Sequence, residues 1–483
     1  MMAAIISSTD VNNIQNHNVG DTTYMISDLP DHILIYILSF LPTKDAVRTS
    51  ILSTKWRYLW THLSVFDFLI PRPKYGKNQN SANCLLDLVG RLLDKSNCIE
   101  RLCVKIFGIS VNANQVSSLI SSVAKNKVQH LHFNLGDVTT TTNCVLPLSF
   151  LAFESLNTLD LGLKLTLHIP SAICFSSLKR LVLSYVIFEN ENSIQRLLSG
   201  CPVLEELVWC NCHFKNVKQI NVAISTLRTL NVHFDSSFCD LFDNCIVKID
   251  AANLLTLRCR TNPAIQFIPI NLTSVVNACV DLEYYYPQGE LYAGNCAIKL
   301  LSGISSVKSL QLSNDTLECL IYAKDTLHLL PSFHNLTHLT VLPCHCDATY
   351  GVLMDFLPKT PILEALHIPD VVHNYVDGED LILNLVPSCV KSSLKLLTIS
   401  YFNGDEYEIR FVKFFLENAT VLAEIRLVCS RHLSADFKKL DDVRNQLQHV
   451  GLISCVLKFC NTSSSFDDYT DEDEFWKTHF IIA

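Results

Sequence analysis

Three hexapeptides near the middle of the chain share one pattern: LKRLVL at residues 178–183, LEELVW at residues 204–209 and LRTLNV at residues 227–232. Their first, fourth and sixth residues are apolar, which places three apolar side chains on one side of a short strand. The pattern occurs twelve times, with first residues 22 to 31 residues apart except for one interval of 53. The twelve apolar triplets are Ile99-Leu102-Val104, Val128-Leu131-Phe133, Leu156-Leu159-Leu161, Leu178-Leu181-Leu183, Leu204-Leu207-Trp209, Leu227-Leu230-Val232, Leu254-Leu257-Cys259, Val307-Leu310-Leu312, Leu336-Leu339-Val341, Leu363-Leu366-Ile368, Leu394-Leu397-Ile399 and Leu422-Ile425-Leu427. This recurrence indicates an array of structural repeats.

The spacing of the triplets is typical of leucine-rich repeats, in which each unit is one strand plus a helix or a turn. A single unit cannot bury its apolar side, whereas stacked units form a continuous apolar spine. Helices fit between the strands at residues 193–198 and 351–357, and the interval of 53 fits two units with a degenerate strand near Leu282. Because the units differ in length and lack an asparagine ladder, we expect an uneven solenoid. An α/β domain with ordinary strand–helix alternation is the alternative.

The repeats predict a concave surface lined by strands, and such surfaces usually bind proteins. Candidate residues on this surface lie between the leucines: Asn157, Asp160, Lys179, Arg180, Glu205, Arg228 and His338. Many solvated strand residues have the same pattern, so the sequence does not identify the protein that binds there.

Composition and charge exclude several functional classes. Of the 483 residues, 49% are hydrophobic and 18% are charged, and the mean hydropathy is +0.24, which excludes a disordered chain. A net charge of −9 argues against a nucleic-acid surface. The sequence has neither an apolar run long enough to cross a membrane nor a signal peptide at its N-terminus. We therefore expect a soluble protein of the cytoplasm, the nucleus or both.

The cysteines and histidines give no chemical motif. Most of the 20 cysteines are expected to be buried thiols within the apolar strips, among them Cys103, Cys174, Cys259, Cys319, Cys389 and Cys429. The clusters Cys210-Asn-Cys212-His213 and Cys344-His345-Cys346 lack the second half of a structural zinc site, so we predict no metal. There is no phosphate-binding GxxxxGK[ST] loop, HExxH or GxSxG motif, and His132, His168 and His233 stand singly. We predict no cofactor and no catalytic residue, although a triad assembled by folding leaves no such signature.

The N-terminal segment, residues 26–60, reads ISDLPDHILIYILSFLPTKDAVRTSILSTKWRYLW. Pro30 is suited to the first turn of a helix that Pro42 ends, and Thr43 is a good N-cap for a second helix whose inward residues include Ile51. Ser53 is the expected cap of a third helix that carries Trp56, Leu59 and Trp60. Three short helices cannot enclose this much apolar surface, so part of it is expected to face a partner.

This segment closely resembles an F-box, whose pattern is Leu-Pro, an Ile-Leu-rich helix ending in Leu-Pro, and a late Trp-Arg-x-Leu-Trp. Each part is present: Leu29-Pro30, Ile37-Leu38, Leu41-Pro42 and Trp56-Arg57-Tyr58-Leu59-Trp60. The resemblance implies docking onto the Skp-family adaptor of a cullin–RING ubiquitin ligase. It also implies a set of residues that form or support this interface: Leu29, Pro30, Ile33, Leu34, Ile37, Leu41, Pro42, Val47, Leu52 and Trp56. Leu38, Leu59 and Trp60 are expected to pack within the module or against the first repeat.

Residues 387–427 resemble the FBD region that accompanies F-boxes and leucine-rich repeats in plant proteins. The matching segments are Ser393-Leu394-Lys395, Asn403-Gly404-Asp405-Glu406 and Phe415-Leu416-Glu417-Asn418-Ala419, with a weaker match at 454–459. They predict a strand, a turn at Gly404, a helix with Ile409, Val412 and Leu416 inward, and another strand. This is a further repeat unit, and capping of the solenoid end is its expected role.

The predicted organisation is a small all-α F-box followed by an α/β leucine-rich-repeat solenoid with a capping region. We expect these segments: N-terminal tail 1–22, F-box 23–66, linker and first helix 67–98, repeats 99–383, FBD region 384–460 and acidic tail 461–483. The resemblance implies a non-catalytic subunit that recruits a protein target for ubiquitination. The alternatives are a scaffold that binds the adaptor without cullin, and a ligand-dependent receptor.

Overall fold

The computed structural model describes residues 26–71, 79–95, 99–107, 113–135, 144–145, 154–167, 169, 173–234, 245–261, 265–283, 289–342, 350–369, 386–448, 450 and 455–461. The chain divides into two compact units, Met1–Phe66 and Asp67–Ala483. The predicted F-box lies in the first unit and the predicted repeats in the second.

The N-terminal unit consists of short helices. Its α-helices are Asp31–Leu38 and Thr43–Arg48, and its 3₁₀ turns are Ile26–Asp28, Thr49–Ile51 and Trp56–His62. Pro30 and Pro42 stand directly before the two α-helices, with φ near −57° and −53°. Their carbonyl oxygens accept the first helical hydrogen bonds, such as Leu34 N to Pro30 O at 3.2 Å. The buried residues of this unit include Leu34, Leu38, Ala46, Trp56, Leu59, Trp60, Leu63 and Phe66.

Three local predictions for this unit are wrong. Pro42, not Thr43, is the N-cap, because the proline already has the required extended ψ, and Thr43 is the first helical residue with a buried side chain. The third helical segment begins at Trp56, and the Ser53 hydroxyl is buried without a hydrogen-bond partner. Ile51 is 88% exposed. The chain tightens into a 3₁₀ turn at Thr49–Ile51, which takes Ile51 away from the inward face of the preceding α-helix.

The second unit is built on one sheet of fifteen strands, called here the long sheet. From its second strand onward, every neighbouring pair is parallel. Its strands are Val65–Ile70, Arg101–Ile106, His130–Asn134, Thr158–Gly162, Arg180–Ser184, Glu206–Cys210, Thr229–His233, Thr256–Thr261, Asn277–Leu282, Ser309–Ser313, His338–Leu342, Ala365–Ile368, Leu396–Phe402, Glu424–Cys429 and Val456–Asn461.

The register of the long sheet aligns the repeated leucines. Leu207 lies opposite Leu181 on one side and Leu230 on the other, and Leu230 in turn lies opposite Leu257. All four are fully buried. We call the two inward residues of each strand, at the fourth and sixth positions of the pattern, the spine. The degenerate unit predicted near Leu282 is confirmed, because strand Asn277–Leu282 fills the interval between strands Thr256–Thr261 and Ser309–Ser313.

Helices connect many of the strands, as predicted at 193–198 and near 351–357. The α-helices of this unit are Gln79–Lys95, Ala113–Lys125, Glu191–Ser199, Glu290–Gly303, Asn314–Tyr322, Tyr350–Phe356, Ser388–Ser392, Glu406–Asn418, Arg431–Ala435 and Phe437–Gln448. Short 3₁₀ turns occupy Lys324–Leu329 and Leu357–Lys359. The α/β solenoid architecture predicted from the sequence is thereby confirmed.

Short second strands accompany the strands of the long sheet in part of the array, a feature that the repeat pattern did not predict. One set forms a three-stranded sheet of Gln219–Ala223, Ile246–Asp250 and Gln266–Asn271. The other set forms a four-stranded sheet of Cys144–Val145, Leu165–Thr166, Ile187–Phe188 and His213–Phe214. The cause is local sequence: Ile220 and Val222 alternate with polar residues, as do Val247 and Ile249, and a period of two favours a strand.

The cysteine prediction holds for Cys103, Cys259, Cys319, Cys389 and Cys429, which are buried free thiols. Cys174 is exposed, contrary to expectation. It lies before the start of strand Arg180–Ser184, outside the run of buried spine residues.

The FBD region has the predicted order of elements. Strand Leu396–Phe402 leads through Gly404, whose φ of +68° is left-handed, into helix Glu406–Asn418 and then strand Glu424–Cys429. Ile409, Val412 and Leu416 are buried, as predicted. Asp405 and Glu408 form a reciprocal capping box at the start of this helix.

Candidate functional site

The N-terminal unit exposes an apolar surface that its own core does not cover. We call this the apolar surface of the unit. Its large exposed side chains are Ile26, Leu29, Ile33, Tyr36, Phe40, Leu41, Ile51, Leu52 and Tyr58. Exposed apolar residues that lie together are typical of interaction sites, so these residues form the candidate site of the unit.

The ten residues predicted at the adaptor interface fall into two groups. Eight are accessible to some degree: Leu29, Pro30, Ile33, Leu41, Pro42 and Leu52 are exposed, and Ile37 and Val47 are half-buried. Leu34 and Trp56 are buried, with 0% and 3% of their surface exposed. A buried side chain supports a surface from below and does not itself contact a partner.

Trp56 and Lys55 hold the Leu29-Pro30 corner in place. The Trp56 indole Nε1 donates a hydrogen bond to Ser27 Oγ at 3.0 Å. The Lys55 ammonium donates to the carbonyl oxygens of Ser27 at 2.8 Å and Leu29 at 2.7 Å. These contacts join the third helical segment to the chain before the first helix, so the corner is preorganised before any partner binds.

Sequence reasoning did not select Tyr36, Phe40, Ile51 or Tyr58 for this surface. Tyr36 and Phe40 form an edge-to-face pair with ring centroids 4.9 Å apart. They are four residues apart in the sequence, so they occupy one side of the chain as it leaves the first helix. This spacing was a usable signal, whereas the exposure of Ile51 depends on the 3₁₀ turn.

A second candidate surface is the face of the long sheet opposite the spine. Several of its charged residues are already paired across neighbouring strands. Lys179 Nζ lies 3.1 Å from Glu205 Oε1, and Arg180 Nη1 lies 2.6 Å from Glu206 Oε2. Of the residues predicted there, Lys179, Arg228 and His338 are exposed, and Asn157, Asp160, Arg180 and Glu205 are half-buried.

One charged cluster on this face is largely buried. The Arg260 Nε atom donates to Glu283 Oε1 at 2.7 Å and lies 3.5 Å from Asp281 Oδ2. Burial raises the pKa of Asp281 to about 7, because its desolvation outweighs the attraction of the Arg260 guanidinium. The cluster joins adjacent strands of the array, and the Ser313 hydroxyl of the following strand hydrogen-bonds to the Asp281 carboxyl.

The Cys210-Asn-Cys212-His213 cluster, which lies in the described part of the chain, lacks the features of a metal site. Burial raises the pKa of the Cys212 thiol well above its usual range, which opposes the thiolate that a metal requires. Within the described ranges, no group of three or more His, Cys, Asp or Glu side chains is arranged to hold a metal ion. Cys344-His345-Cys346 and His168 lie outside the described residues. No described helix is both long and apolar enough to span a membrane.

Three family models match the chain. The F-box domain model matches residues 26–68, the model "FBD-associated F-box protein At5g56370, LRR repeats" matches 116–275, and the FBD model matches 384–427. The F-box match contains the whole apolar surface of the N-terminal unit.

Curated proteins of Arabidopsis thaliana are similar over most of the chain. The putative F-box/FBD/LRR-repeat protein At1g66290 is 31% identical over 415 residues, which cover 84% of this chain and 88% of that protein. The F-box/FBD/LRR-repeat protein At5g22660 is 31% identical over 422 residues, covering 84% and 90%. The F-box/LRR-repeat protein At4g14096 is 30% identical over 452 residues, covering 88% and 92%.

Proposed function

The chain belongs to the F-box/FBD/LRR-repeat family, and from this premise we propose that it recruits protein targets to a Skp–cullin–F-box ubiquitin ligase. F-box proteins are in general substrate-recognition adaptors of such ligases. In this proposal the N-terminal unit docks on the Skp-family adaptor, and through it on the cullin and the RING subunit. The repeats bind the target in the cytoplasm, the nucleus or both.

The observation that carries the proposal is the apolar surface of the N-terminal unit. Leu29, Pro30, Ile33, Leu41 and Leu52 are all exposed, whereas the leucines and isoleucines of the twelve apolar triplets are buried. Covering this surface with a partner removes it from water, and the gain is about 25 cal/mol for each Å² buried. The preorganised Leu29-Pro30 corner is the expected centre of the interface.

The chain acts by proximity in this mechanism and is not itself an enzyme. Ubiquitin passes from a charged conjugating enzyme, held by the RING subunit, to a lysine of the target. Holding both on one assembly raises the effective concentration of that lysine near the reacting thioester. The N-terminal unit and the repeats therefore have separate tasks, and a variant of one should leave the other folded.

The decisive experiment is a pull-down after co-expression of the chain with a Skp-family adaptor and a cullin. A Leu29→Ala/Pro30→Ala variant tests the predicted corner. Ile270→Ala, which changes an exposed apolar residue of the repeat unit, is the matched control. We expect the parent and the control to recover both partners and the double variant to lose both.

Two other outcomes would change the conclusion. Recovery of the adaptor without cullin would favour a scaffold over a ligase subunit. Failure of a well-folded parent chain to bind the adaptor would overturn the proposal, and the repeats would then need an explanation of their own. Ubiquitination of a co-purified partner is the positive test of the recruiting role.

A further inference from the structure

The ammonium group of Lys55 contacts the chain on both sides of the Leu29-Pro30 corner. It donates hydrogen bonds to the carbonyl oxygens of Ser27, at 2.8 Å, and Leu29, at 2.7 Å. It also lies 3.6 Å from the Oδ1 atom of Asp31, the first residue of the helix that follows the corner. A lysine ammonium has three N–H donors, and the corner presents three acceptors to it. One side chain therefore ties together the segment before the corner, the corner itself and the start of the helix.

The carbonyl oxygens of Ser27 and Leu29 depend on this side chain. In the described part of the chain, no backbone N–H donates to either of them, because the first bonds of the helix, from Ile33 N and Leu34 N, go to Pro30 O. A carbonyl oxygen that loses its donor turns toward water or toward another donor. The backbone conformation at Leu29-Pro30 is thereby coupled to the position of the Lys55 ammonium.

The neighbouring tryptophan explains how Lys55 reaches the corner. Lys55 directly precedes the 3₁₀ turn Trp56–His62, and the Trp56 ring is only 3% exposed. The Trp56 indole Nε1 donates to Ser27 Oγ at 3.0 Å, which fixes the backbone beside Lys55 against the same segment. The Lys55 side chain itself remains 35% exposed. Trp56 thus anchors the corner from below, and Lys55 adds charged contacts at the surface.

We propose that Lys55 is a positioning residue for adaptor docking, whose ammonium holds Leu29 and Pro30 in the conformation that the Skp-family adaptor binds. This inference rests on the proposed function. Leu29 and Pro30 are exposed, so burial of their own side chains does not fix them. A surface that is competent for only part of the time binds more weakly in proportion to its competent fraction. The charged hydrogen bonds of Lys55 are therefore a condition of tight docking, in addition to the apolar surface.

An ordinary surface ion pair would not have this effect, since exposed pairs of lysine and aspartate contribute little. The contact between Lys55 and Asp31 is of that kind, because the Asp31 side chain is 66% exposed. The two bonds to carbonyl oxygens differ from it, because they are short and charge-assisted, which makes them stronger than neutral hydrogen bonds. We assign the positioning effect to these two bonds.

Titration of the full chain with a purified Skp-family adaptor tests the proposal. Lys55→Met removes the donors and keeps an unbranched side chain. It should weaken binding about tenfold, which corresponds to a fall of the competent fraction to about a tenth. Lys55→Arg keeps the charge and several N–H donors, so it should recover most of the affinity. Lys44→Met, which removes a lysine charge from an exposed position of the same unit, is the matched control and should bind as the parent does.

Hydrogen exchange in the free chain separates positioning from folding. The Leu29 amide, bonded to Ile26 O at 3.3 Å, reports on the corner, and the Ser39 amide, bonded to Ile35 O at 3.0 Å, reports on the helix. Lys55→Met should accelerate exchange of the Leu29 amide and leave that of Ser39 unchanged. Faster exchange at both amides would show that Lys55 stabilises the whole unit, and the positioning role would be wrong.

The binding data can overturn the proposal in two further ways. Parental affinity in Lys55→Met, for a parent that binds the adaptor, would refute the role of Lys55 and leave the proposed ligase function intact. An equal loss of affinity in Lys55→Arg and Lys55→Met would contradict the assignment to charged hydrogen bonds. If the parent itself does not bind the adaptor, the proposed function fails, and the docking role of Lys55 fails with it.

Discussion

Leu29 and Ile33 of the N-terminal unit are exposed, whereas Leu207 and Leu230 of the repeat unit are fully buried. The difference follows from the way in which each unit can build a core. A repeat covers its apolar side with the next repeat, so each added strand buries the one before it. The N-terminal unit has fewer than 50 residues and no neighbouring repeat. Its short helices bury Leu34 and Leu38 but leave their other apolar side chains in water.

Apolar residues therefore have different roles in the two units. In the repeats, a buried apolar residue stabilises the fold. In the N-terminal unit, we propose that an exposed apolar residue contributes to the binding of a partner. Variants that change the free energy of unfolding without changing adaptor affinity, or the reverse, test this difference in roles directly.

Leu207→Ala should have the largest effect on stability. Leu207 lies between Leu181 and Leu230 in the register of the long sheet and is fully buried. Truncation of such a leucine leaves a cavity and lowers the free energy of unfolding by about 2 to 5 kcal/mol. Urea denaturation followed by circular dichroism measures the change. Ile270→Ala, at an exposed position, should alter the unfolding midpoint little. An equal loss of unfolding free energy in both variants would contradict the role of Leu207 in the spine.

Gly404→Ala should destabilise the FBD region. Gly404 has a φ of +68°, and an added Cβ would lie 2.8 Å from Val443 Cγ2. The strained backbone and the close contact together should cost about 2 kcal/mol in the free energy of unfolding. Gly351→Ala is the matched control, because it lies in a helix with no atom near the added Cβ. The melting temperature of the control should equal or exceed that of the parent, and the melting temperature of Gly404→Ala should be lower than that of the parent.

Tyr36→Ala/Phe40→Ala extends the comparison to the residues that the sequence did not select. Both rings are exposed, so the expected change in unfolding is small. If the rings belong to the interface, loss of this aromatic pair should weaken adaptor binding by about tenfold, since aromatic residues are frequent hot spots. Titration calorimetry measures the affinity. Unchanged affinity would confine the interface to the Leu29-Pro30 side.

The Asp281 cluster should give the repeat unit a pH dependence of its own. The folded pKa of Asp281 is raised to about 7, against about 3.9 for an aspartate in an unfolded chain. Between these values the folded state holds a proton that the unfolded state has lost. The contribution of Asp281 is therefore favourable near pH 4 and is lost as the pH rises toward 7.

An Asp281→Asn variant removes this titration. Its free energy of unfolding, measured from pH 4 to 8, should fall less with rising pH than that of the parent, by about 1 kcal/mol or more across the window. The facing charged groups Arg260, Glu283 and Asp315 remain in both chains. Asp441→Asn, at an exposed position, should leave the parental slope intact; identical slopes for the parent and Asp281→Asn would refute this assignment.

The sequence was sufficient for the repeats because their signal is redundant. Twelve triplets in one register predict the spine, and even the degenerate strand at Asn277–Leu282 follows from the interval between its neighbours. The sequence was less informative about the connections between the strands. There, a short alternation of apolar and polar residues such as Gln219–Ala223 can form a strand, a helix or a turn. For the candidate site, the Leu-Pro and Trp motifs point to the correct module. The exposure of Ile51 depends on the geometry of a 3₁₀ turn that no local pattern expresses.

The affinity of the Skp-family adaptor for the Leu29→Ala/Pro30→Ala variant tests the central claim most directly. Calorimetry with the purified full chain should show binding at least a hundredfold weaker than for the parent, equivalent to about 2.7 kcal/mol, while the urea midpoint of the repeats stays unchanged. Equal affinities for the two folded chains would contradict the account, because the exposed corner would then not be the surface that the adaptor binds.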